Sequence, residues 1–294
     1  MQSQPPSEPR TKEDWDFYLT QVEGQATSIN LNLALRETAP LKDRPQLLRV
    51  RLHLRLPGPS GLSSNEEFES LNHIEDRMVG ALQADALLFV GRCTGAGLRE
   101  FFFYGSDPRG WESRVAEVMK SFADYRFEAT TSPDPEWRSY LEFLYPNPEQ
   151  MQSIQNRRVC LSLQQHGDPL TEPRPIDHFA YFPDEAARAR FVERAKSLGF
   201  EPELLPSGPG GSSKVGVQLV RVDVPTLEGI DAITLPLHRE ALAQGGEYDG
   251  WGSPIPGADQ TGTPSKPDPT ALKALLALFG LALAIVVFGL LTGK

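Results

Sequence analysis

The stretch IDHFAYFPDEAARARFVERAKSLGF, residues 176–200, carries the pattern that decides the fold of the second half of this 294-residue chain. Its first seven residues are mostly apolar, which is typical of a strand. The Pro-Asp-Glu sequence at 183–185 then begins a helix, because Asp is a favoured N-cap and Pro and Glu suit the first turn. Gly199 is well placed to end that helix. The apolar residues of its buried face recur at helical spacing: Ala187, Phe191, Ala195 and Leu198.

Further strands and a second helix are predicted around this helix. They are a lead-in strand at 159–163, strands at 200–205 and 215–224, a helix at 227–244 and a last strand at 247–251. From residue 176 onward the order is β-α-β-β-α-β, which is the ferredoxin-like split βαβ arrangement. Pro236 removes a backbone hydrogen bond, so the second helix is either kinked or begins near Thr234.

The first half alternates strands and helices in a different order. Apolar residues alternate with polar ones between Ser28 and Leu56, which predicts two strands with one buried face. Ser64 and Glu67 have the spacing of a capping box and predict a helix start. The remaining predicted elements are strands at 86–90 and 98–104 joined by a Gly-rich loop, a helix capped at 107–108, and strands at 125–130 and 137–144.

These patterns predict an α+β protein of two α/β-sandwich domains, the second ferredoxin-like, plus one C-terminal transmembrane helix. The predicted domains are a disordered segment at 1–12, an α+β domain at 13–148, a ferredoxin-like domain at 156–251, a Pro/Gly linker at 252–270 and a membrane anchor at 271–294.

The predicted transmembrane helix rests on an unbroken apolar run from Ala274 to Leu291. At 1.5 Å per residue this run reaches about 27 Å, close to the roughly 30 Å thickness of the bilayer core. Residues spread along it, expected to contact lipid, are Ala274, Leu278, Leu283, Val287 and Leu291. Since the N-terminus has no signal-peptide core, we expect a single-pass protein of the inner membrane with its soluble domains facing the cytoplasm.

The chain is acidic, with 29 Lys and Arg against 39 Asp and Glu and a formal charge of -10. This balance disfavours direct binding to nucleic acid and favours a protein partner. Arg49, Arg51 and Arg55 occupy alternate positions of one predicted strand and could meet phosphate. The favoured alternative is a solvated sheet face, or one that pairs with acidic residues. The two cysteines, Cys93 and Cys160, do not suggest a disulfide framework.

Motifs for catalysis, cofactors and metals are missing from the sequence. The glycines of GRCTGAG at 91–97 and of SGPGGSSK at 207–214 are each followed by a predicted strand, whereas phosphate-binding loops precede a helix. Asp177 and His178 are neighbours on a strand and should point to opposite faces. The protein is therefore expected not to be an enzyme and to hold no cofactor or metal.

The segment EYDGWG at 247–252 is the most specific signal in the chain. Together with IDHF at 176–179, the helix from Phe191 into GFE at 199–201 and the strand end VDV at 222–224, it resembles the RraB family, the regulators of ribonuclease E. The resemblance implies a ferredoxin-like fold, binding to ribonuclease E and inhibition of its RNA cleavage without catalysis by the regulator. The first half resembles an uncharacterised DUF-type domain found fused ahead of RraB-like domains.

Tyr248, Asp249, Gly250 and Trp251 are the predicted partner-binding residues, because two aromatic side chains flank a predicted tight turn. The alternative is that both rings belong to the core, and the sequence leaves the two readings even. The function expected from these observations is that of a membrane-tethered regulator that binds and inhibits a ribonuclease. Its alternatives are a membrane-anchored scaffold with an unrelated partner, or an enzyme in the first domain.

Overall fold

The structure is a computed structural model, and it describes residues 13–83, 87–205 and 214–254. The chain divides into two compact units, with the break between Pro146 and Asn147. The predicted disordered segment, the anchor and all of the linker beyond Pro254 lie outside the described residues.

The first unit is built on a six-stranded antiparallel sheet with the strand order β1-β2-β4-β5-β3-β6. Its strands are β1 (Trp15–Val22), β2 (Gln25–Asn32), β3 (Gln46–His53), β4 (Leu88–Gly95), β5 (Leu98–Gly105) and β6 (Phe127–Pro133). A two-residue turn joins β4 to β5, and both its residues, Ala96 and Gly97, have positive φ. Such a turn matches the twist of paired strands, so the Gly-rich loop is a hairpin, as predicted.

Two helices cover one face of this sheet: α1 (Phe68–Gln83) and α2 (Trp111–Met119). The helical spacing of buried Leu71, Ile74, Met78 and Leu82 gives α1 its apolar stripe. This stripe packs on the apolar strand residues Leu48, Val50, Leu52, Phe101 and Phe103. The predicted capping box is wrong, because the Glu67 carboxylate accepts instead from the backbone amides of Arg55 and Leu56, at 2.7 and 3.0 Å.

A short π-helical turn, Ser139–Leu144, lies where the sequence predicts a strand. The carboxylate of Asp134 accepts from the backbone amides of Arg138 and Ser139, which fixes the start of this turn. Trp137 has a positive φ, and its ring stacks on the ring of Tyr104 with centroids 4.0 Å apart. Tertiary packing of aromatic side chains therefore overrides the strand propensity of this segment.

The second unit is a four-stranded antiparallel sheet with the strand order β10-β7-β9-β8. Its strands are β7 (Arg174–Phe182), β8 (Glu201–Leu205), β9 (Val215–Asp223) and β10 (Glu247–Gly252), and its two crossover helices are α4 (Glu185–Ser197) and α5 (Ile230–Ala243). This order and pairing are those of the ferredoxin-like split βαβ arrangement. The Asp184 side chain caps α4 by accepting from the Ala187 amide at 2.8 Å.

A third helix, α3 (Pro148–Gln165), precedes these elements and belongs to the same unit. It replaces the lead-in strand predicted at 159–163, and that prediction is wrong. Asn147 and Gln150 form a reciprocal capping box at its start, and Pro148 occupies the first turn. Once begun there, the helix continues through the short apolar run that resembled a strand.

The fold class predicted from the sequence is corrected on one point. Within residues 13–83, 87–205 and 214–254, no helix is both long enough and apolar enough to cross a membrane. The run from Ala274 to Leu291, on which the transmembrane helix was predicted, lies outside the described residues. The structure therefore supports an α+β protein with two sheets and gives no support to a transmembrane helix.

Candidate partner-binding segment and the core behind it

The predicted partner-binding residues lie on β10, which is an edge strand of the second sheet. Tyr248 pairs with Ala180 and Trp251 pairs with His178 across the antiparallel ladder with β7. The register shifts between Tyr248 and Gly250, so Asp249 is the extra residue of a β-bulge. Gly250 has a φ of 108°, a conformation that glycine adopts at little cost.

This bulge decides where the two aromatic rings point. Residues three apart on a regular strand face opposite sides of a sheet. With one extra residue between them, Tyr248 and Trp251 both face the side on which the helices pack. The predicted tight turn at Asp249 and Gly250 is thus a bulge within a strand.

Tyr248 lies in the core between the sheet and the helices α4 and α5. Its hydroxyl lies 2.8 Å from Nδ1 of His178, and the His238 ring meets its ring edge-on with centroids 6.3 Å apart. Burial raises the pKa of Tyr248 well above its usual value. Tyr248 is therefore neutral at physiological pH.

Trp251 lies in a second apolar cluster, between β7, α3 and α5. Its indole nitrogen donates to the side-chain oxygen of Asn156 at 3.0 Å. The amide nitrogen of Asn156 donates to Asp231 and Thr234 on α5, at 2.7 and 2.6 Å. One fully buried asparagine thus joins three elements, α3, α5 and β10.

The structure places the four predicted site residues in two different environments. Tyr248 and Trp251 are buried, at 6% and 3% exposure. Asp249 and Gly250 are half-buried and lie between them on the edge strand. The two rings belong to the core, which was the alternative reading of the sequence; whether the segment contacts a partner stays a prediction.

A buried ion pair fixes the chain where β10 ends. Asp168 and Arg174 pair with little exposure of either side chain. The Nε of Arg174 also donates to the hydroxyl of Ser253 at 2.5 Å. The last residues of the sheet are therefore held to the start of β7.

The side chains of Asp177 and His178 lie in different environments. Asp177 accepts from the side-chain amide of Gln218 at 2.8 Å, whereas His178 is completely buried among Tyr248 and Phe200. Burial, followed by the charge of Arg221, lowers the pKa of His178 to about 3. A buried neutral imidazole pointing away from the neighbouring carboxylate does not form an acid-base pair with it.

The arginine stripe along β3 and just beyond its end is paired with acidic side chains. Arg51 contacts Glu100 at 3.0 Å and Glu128 at 3.7 Å. Arg49 lies 3.6 Å from Glu100, and Arg55 lies 3.4 Å from Asp124. These contacts agree with the favoured reading of the stripe as a surface that pairs with acidic residues.

The cysteines are separate free thiols, and burial raises the pKa of Cys93 and of Cys160 to about 12. Both are therefore unreactive thiols at neutral pH. In the part of the chain that the structure describes, no group of three or more His, Cys, Asp or Glu side chains could hold a metal ion.

By geometry, then, the second unit is a ferredoxin-like domain with a bulged edge strand, preceded by a separate α+β unit on a six-stranded antiparallel sheet. Residues 153–253 match the model of the RraB family, described as regulator of ribonuclease activity B. Residues 13–145 match the model of a family of unknown function, DUF695. Both resemblances seen in the sequence are confirmed.

Among solved structures, one described as "Crystal structure of putative glycine cleavage system transcriptional repressor" shares 10% sequence identity with the chain. The match covers 72% of this chain and 99% of that chain, with a TM-score of 0.20. A score this low carries no argument about fold or function. No curated protein matches the chain.

Proposed function

We propose that the second unit binds a ribonuclease of the ribonuclease E type and lowers its RNA-cleaving activity, without catalysing a reaction itself. The observation that supports this proposal is the match of residues 153–253 to the family described as regulator of ribonuclease activity B. The match spans every strand and crossover helix of the ferredoxin-like unit.

The charge of the chain suits such a partner. An enzyme that binds RNA presents a basic surface, because phosphate contacts dominate its affinity for nucleic acid. A protein with a formal charge of -10 is electrostatically complementary to that surface. Binding by this route should weaken as salt increases, since exposed charges are screened.

The proposed contact on β10 is its bulge. Asp249 and Gly250 are half-buried, whereas the rings of Tyr248 and Trp251 point into the core. In this proposal the two rings hold the strand in place, and the bulge presents a carboxylate and a stretch of backbone at the sheet edge. Tyr248 and Trp251 then contribute to binding by positioning that edge.

The test is an inhibition assay with the full chain. Ribonuclease E cleaves a fluorogenic RNA while increasing amounts of the protein are added, and the same mixture is analysed by affinity capture. We expect dose-dependent inhibition, and we expect Asp249→Ala to weaken both inhibition and capture. Glu203→Ala removes the same charge from β8, at the other edge of the sheet, and is the matched control.

Three outcomes separate the parts of the proposal. Inhibition weakened by Asp249→Ala and unchanged by Glu203→Ala supports both the function and the contact. Inhibition that neither variant changes supports the function but removes β10 as the contact. No inhibition and no capture by the wild-type chain would overturn the assignment and favour a scaffold with an unrelated partner.

A further inference from the structure

His238 is a buried imidazole of the second unit. It lies on α5 with 8% exposure. Among the residues that the structure describes, neither of its ring nitrogens has a hydrogen-bond partner. Buried polar groups in folded proteins are hydrogen-bonded in roughly nine cases of ten, so this side chain calls for an explanation.

Two imidazoles flank the ring of Tyr248. His238 on α5 meets it edge-on, and His178 on β7 binds its hydroxyl through Nδ1. The Nε2 of His178 is likewise buried without a partner in the described part of the chain. Protonation of either imidazole would therefore place a charge in the buried region where β10 packs against α5.

An exposed ion pair lies next to His238. Arg239 donates to both carboxylate oxygens of Glu149, each at 2.7 Å, and this pair joins the first turn of α3 to α5. Burial is the main cause that lowers the pKa of His238; Glu149 acts to raise it and Arg239 acts to lower it. The two partners of the ion pair thus shift the pKa of His238 in opposite directions.

In the described part of the chain, the contacts around His238 bring in neutral or basic groups besides Glu149. β10 contributes Tyr248, which is neutral, and β7 contributes His178 behind it. α4 contacts α5 through Arg190, whose Nε donates to Gln244. Of the carboxylates in these contacts, Glu149 is the one that can accept a hydrogen bond from a protonated His238.

We propose that His238, Glu149 and Arg239 form an acid-sensitive latch between α3 and α5. When His238 takes up a proton, its N–H groups need an acceptor, and the Glu149 carboxylate exchanges Arg239 for the imidazolium. The bidentate pair that joins the first turn of α3 to α5 is then lost. Because β10 packs on both of these helices, β10 loosens when the pair breaks. The latch is closed at neutral pH and opens in mild acid.

The first test measures the protonation of His238 directly, by NMR titration of the full chain with labelled histidine. Glu149→Gln removes the carboxylate, so the titration midpoint of His238 should shift to lower pH. Arg239→Met removes the opposing charge, so the midpoint should shift to higher pH. Opposite shifts would show that both partners of the ion pair act on His238, and the absence of either shift would overturn the proposal.

The second test measures opening by hydrogen exchange, corrected for the intrinsic effect of pH. Between pH 7.5 and 5.5 the amides in the first turns of α3 and in β10 should gain roughly tenfold in exchange, as expected for local opening. His238→Gln should lose most of this pH dependence. His166→Gln, at an exposed histidine of the same unit, should keep it.

Should His238→Gln fold poorly, Glu149→Gln supplies a second test. It removes the pair with Arg239 at every pH, so exchange in the first turns of α3 should already be raised at pH 7.5 and should lose its pH dependence. Unchanged pH dependence of α3 and β10 in both variants would overturn the latch. Neither test involves a ribonuclease. The latch can therefore fail while the proposed function holds, and the proposed function can fail while the latch holds.

Discussion

The indole nitrogen of Trp251 donates to the side-chain oxygen of Asn156, 95 positions earlier in the chain, at 3.0 Å. This bond joins the final strand of the second unit to its first helix, and both partners are buried. The same oxygen also accepts from Gln152 at 2.9 Å, so it stays hydrogen-bonded if the indole is removed. Ring packing and hydrogen bonding can therefore be tested separately.

Trp251→Ala should lower the free energy of unfolding by about 3 to 5 kcal/mol, because it removes a large ring from a packed core. Trp251→Phe keeps an aromatic ring but loses the N–H donor. Most of the stability lost in Trp251→Phe should come from repacking around the smaller ring, and about 1 kcal/mol should come from the lost hydrogen bond. Urea denaturation followed by circular dichroism measures both. Equal losses in the two variants would show that a phenyl ring recovers none of the stability that the indole contributes at this position.

The fold of the second unit follows largely from local signals in its sequence. The Asp184 cap, the apolar face of α4 and Gly199 after it lie within one short stretch, and their pattern needs no distant contact to be recognised. The apolar run at 159–163 is different, because five such residues fit a strand or a buried helix equally well. The capping box at Asn147 decides between them, and it lies a full three turns upstream.

The environment of the site could be predicted only in part. The aromatic residues of β10 are visible in the sequence, but their burial depends on a bulge that shifts the register by one residue. Asn156 and His238 carry no signal of burial, since polar residues on a helix are usually exposed. Asn156 is buried because α3, which the sequence did not reveal, packs against α5 and β10. His238 is buried where α5 packs against Tyr248 on β10.

The positive φ of Gly250 makes the bulge sensitive to substitution. A Cβ there would meet no atom within 4 Å, so Gly250→Ala tests backbone conformation alone. The cost should be about 1 to 2 kcal/mol, the penalty of a left-handed conformation for a residue with a side chain. Gly80→Ala is the control, because that glycine also has open space around it but lies inside α1, where alanine is favoured. Thermal denaturation should show opposite signs for the two variants.

The depressed pKa of His178, about 3, predicts loss of stability in acid. The unfolded chain binds a proton at this residue below about pH 6.5, whereas the folded chain does not until about pH 3. Stability contributed by the neutral imidazole is therefore full above pH 6.5 and falls as pH drops toward 3, by at most about 1.4 kcal/mol per pH unit.

Denaturation midpoints measured from pH 8 to pH 4 check this expectation. His178→Phe should be less stable than wild type at pH 8, because the Tyr248 hydroxyl loses its partner at a cost of about 1 to 3 kcal/mol. Its stability should depend less steeply on pH. Equal slopes for wild type and variant would mean that His178 is not the group that titrates.

The last prediction concerns one carboxylate that serves two arginines in the first unit. Glu75 on α1 pairs with Arg92 on β4, and its second oxygen lies 3.9 Å from Nη1 of Arg99 on β5. Arg99 is buried, and burial together with the charge of Arg92 lowers its pKa to about 10. Both oxygen and nitrogen at that longer contact are buried without a hydrogen bond in the described residues.

Glu75→Gln should therefore destabilise the first unit by about 3 to 5 kcal/mol, because two arginines, one of them buried, lose the carboxylate that pairs with them. The matched control is Glu117→Gln, which breaks an exposed pair with Lys120 and should leave the unfolding midpoint unchanged. Adding Arg99→Met to Glu75→Gln should recover part of the lost stability, since the uncompensated charge goes with the arginine. Scanning calorimetry of Glu75→Gln, Glu117→Gln and the double variant measures these changes in stability. If the double variant is no more stable than Glu75→Gln, the loss comes from the contact of α1 with Arg92 and not from the buried charge of Arg99.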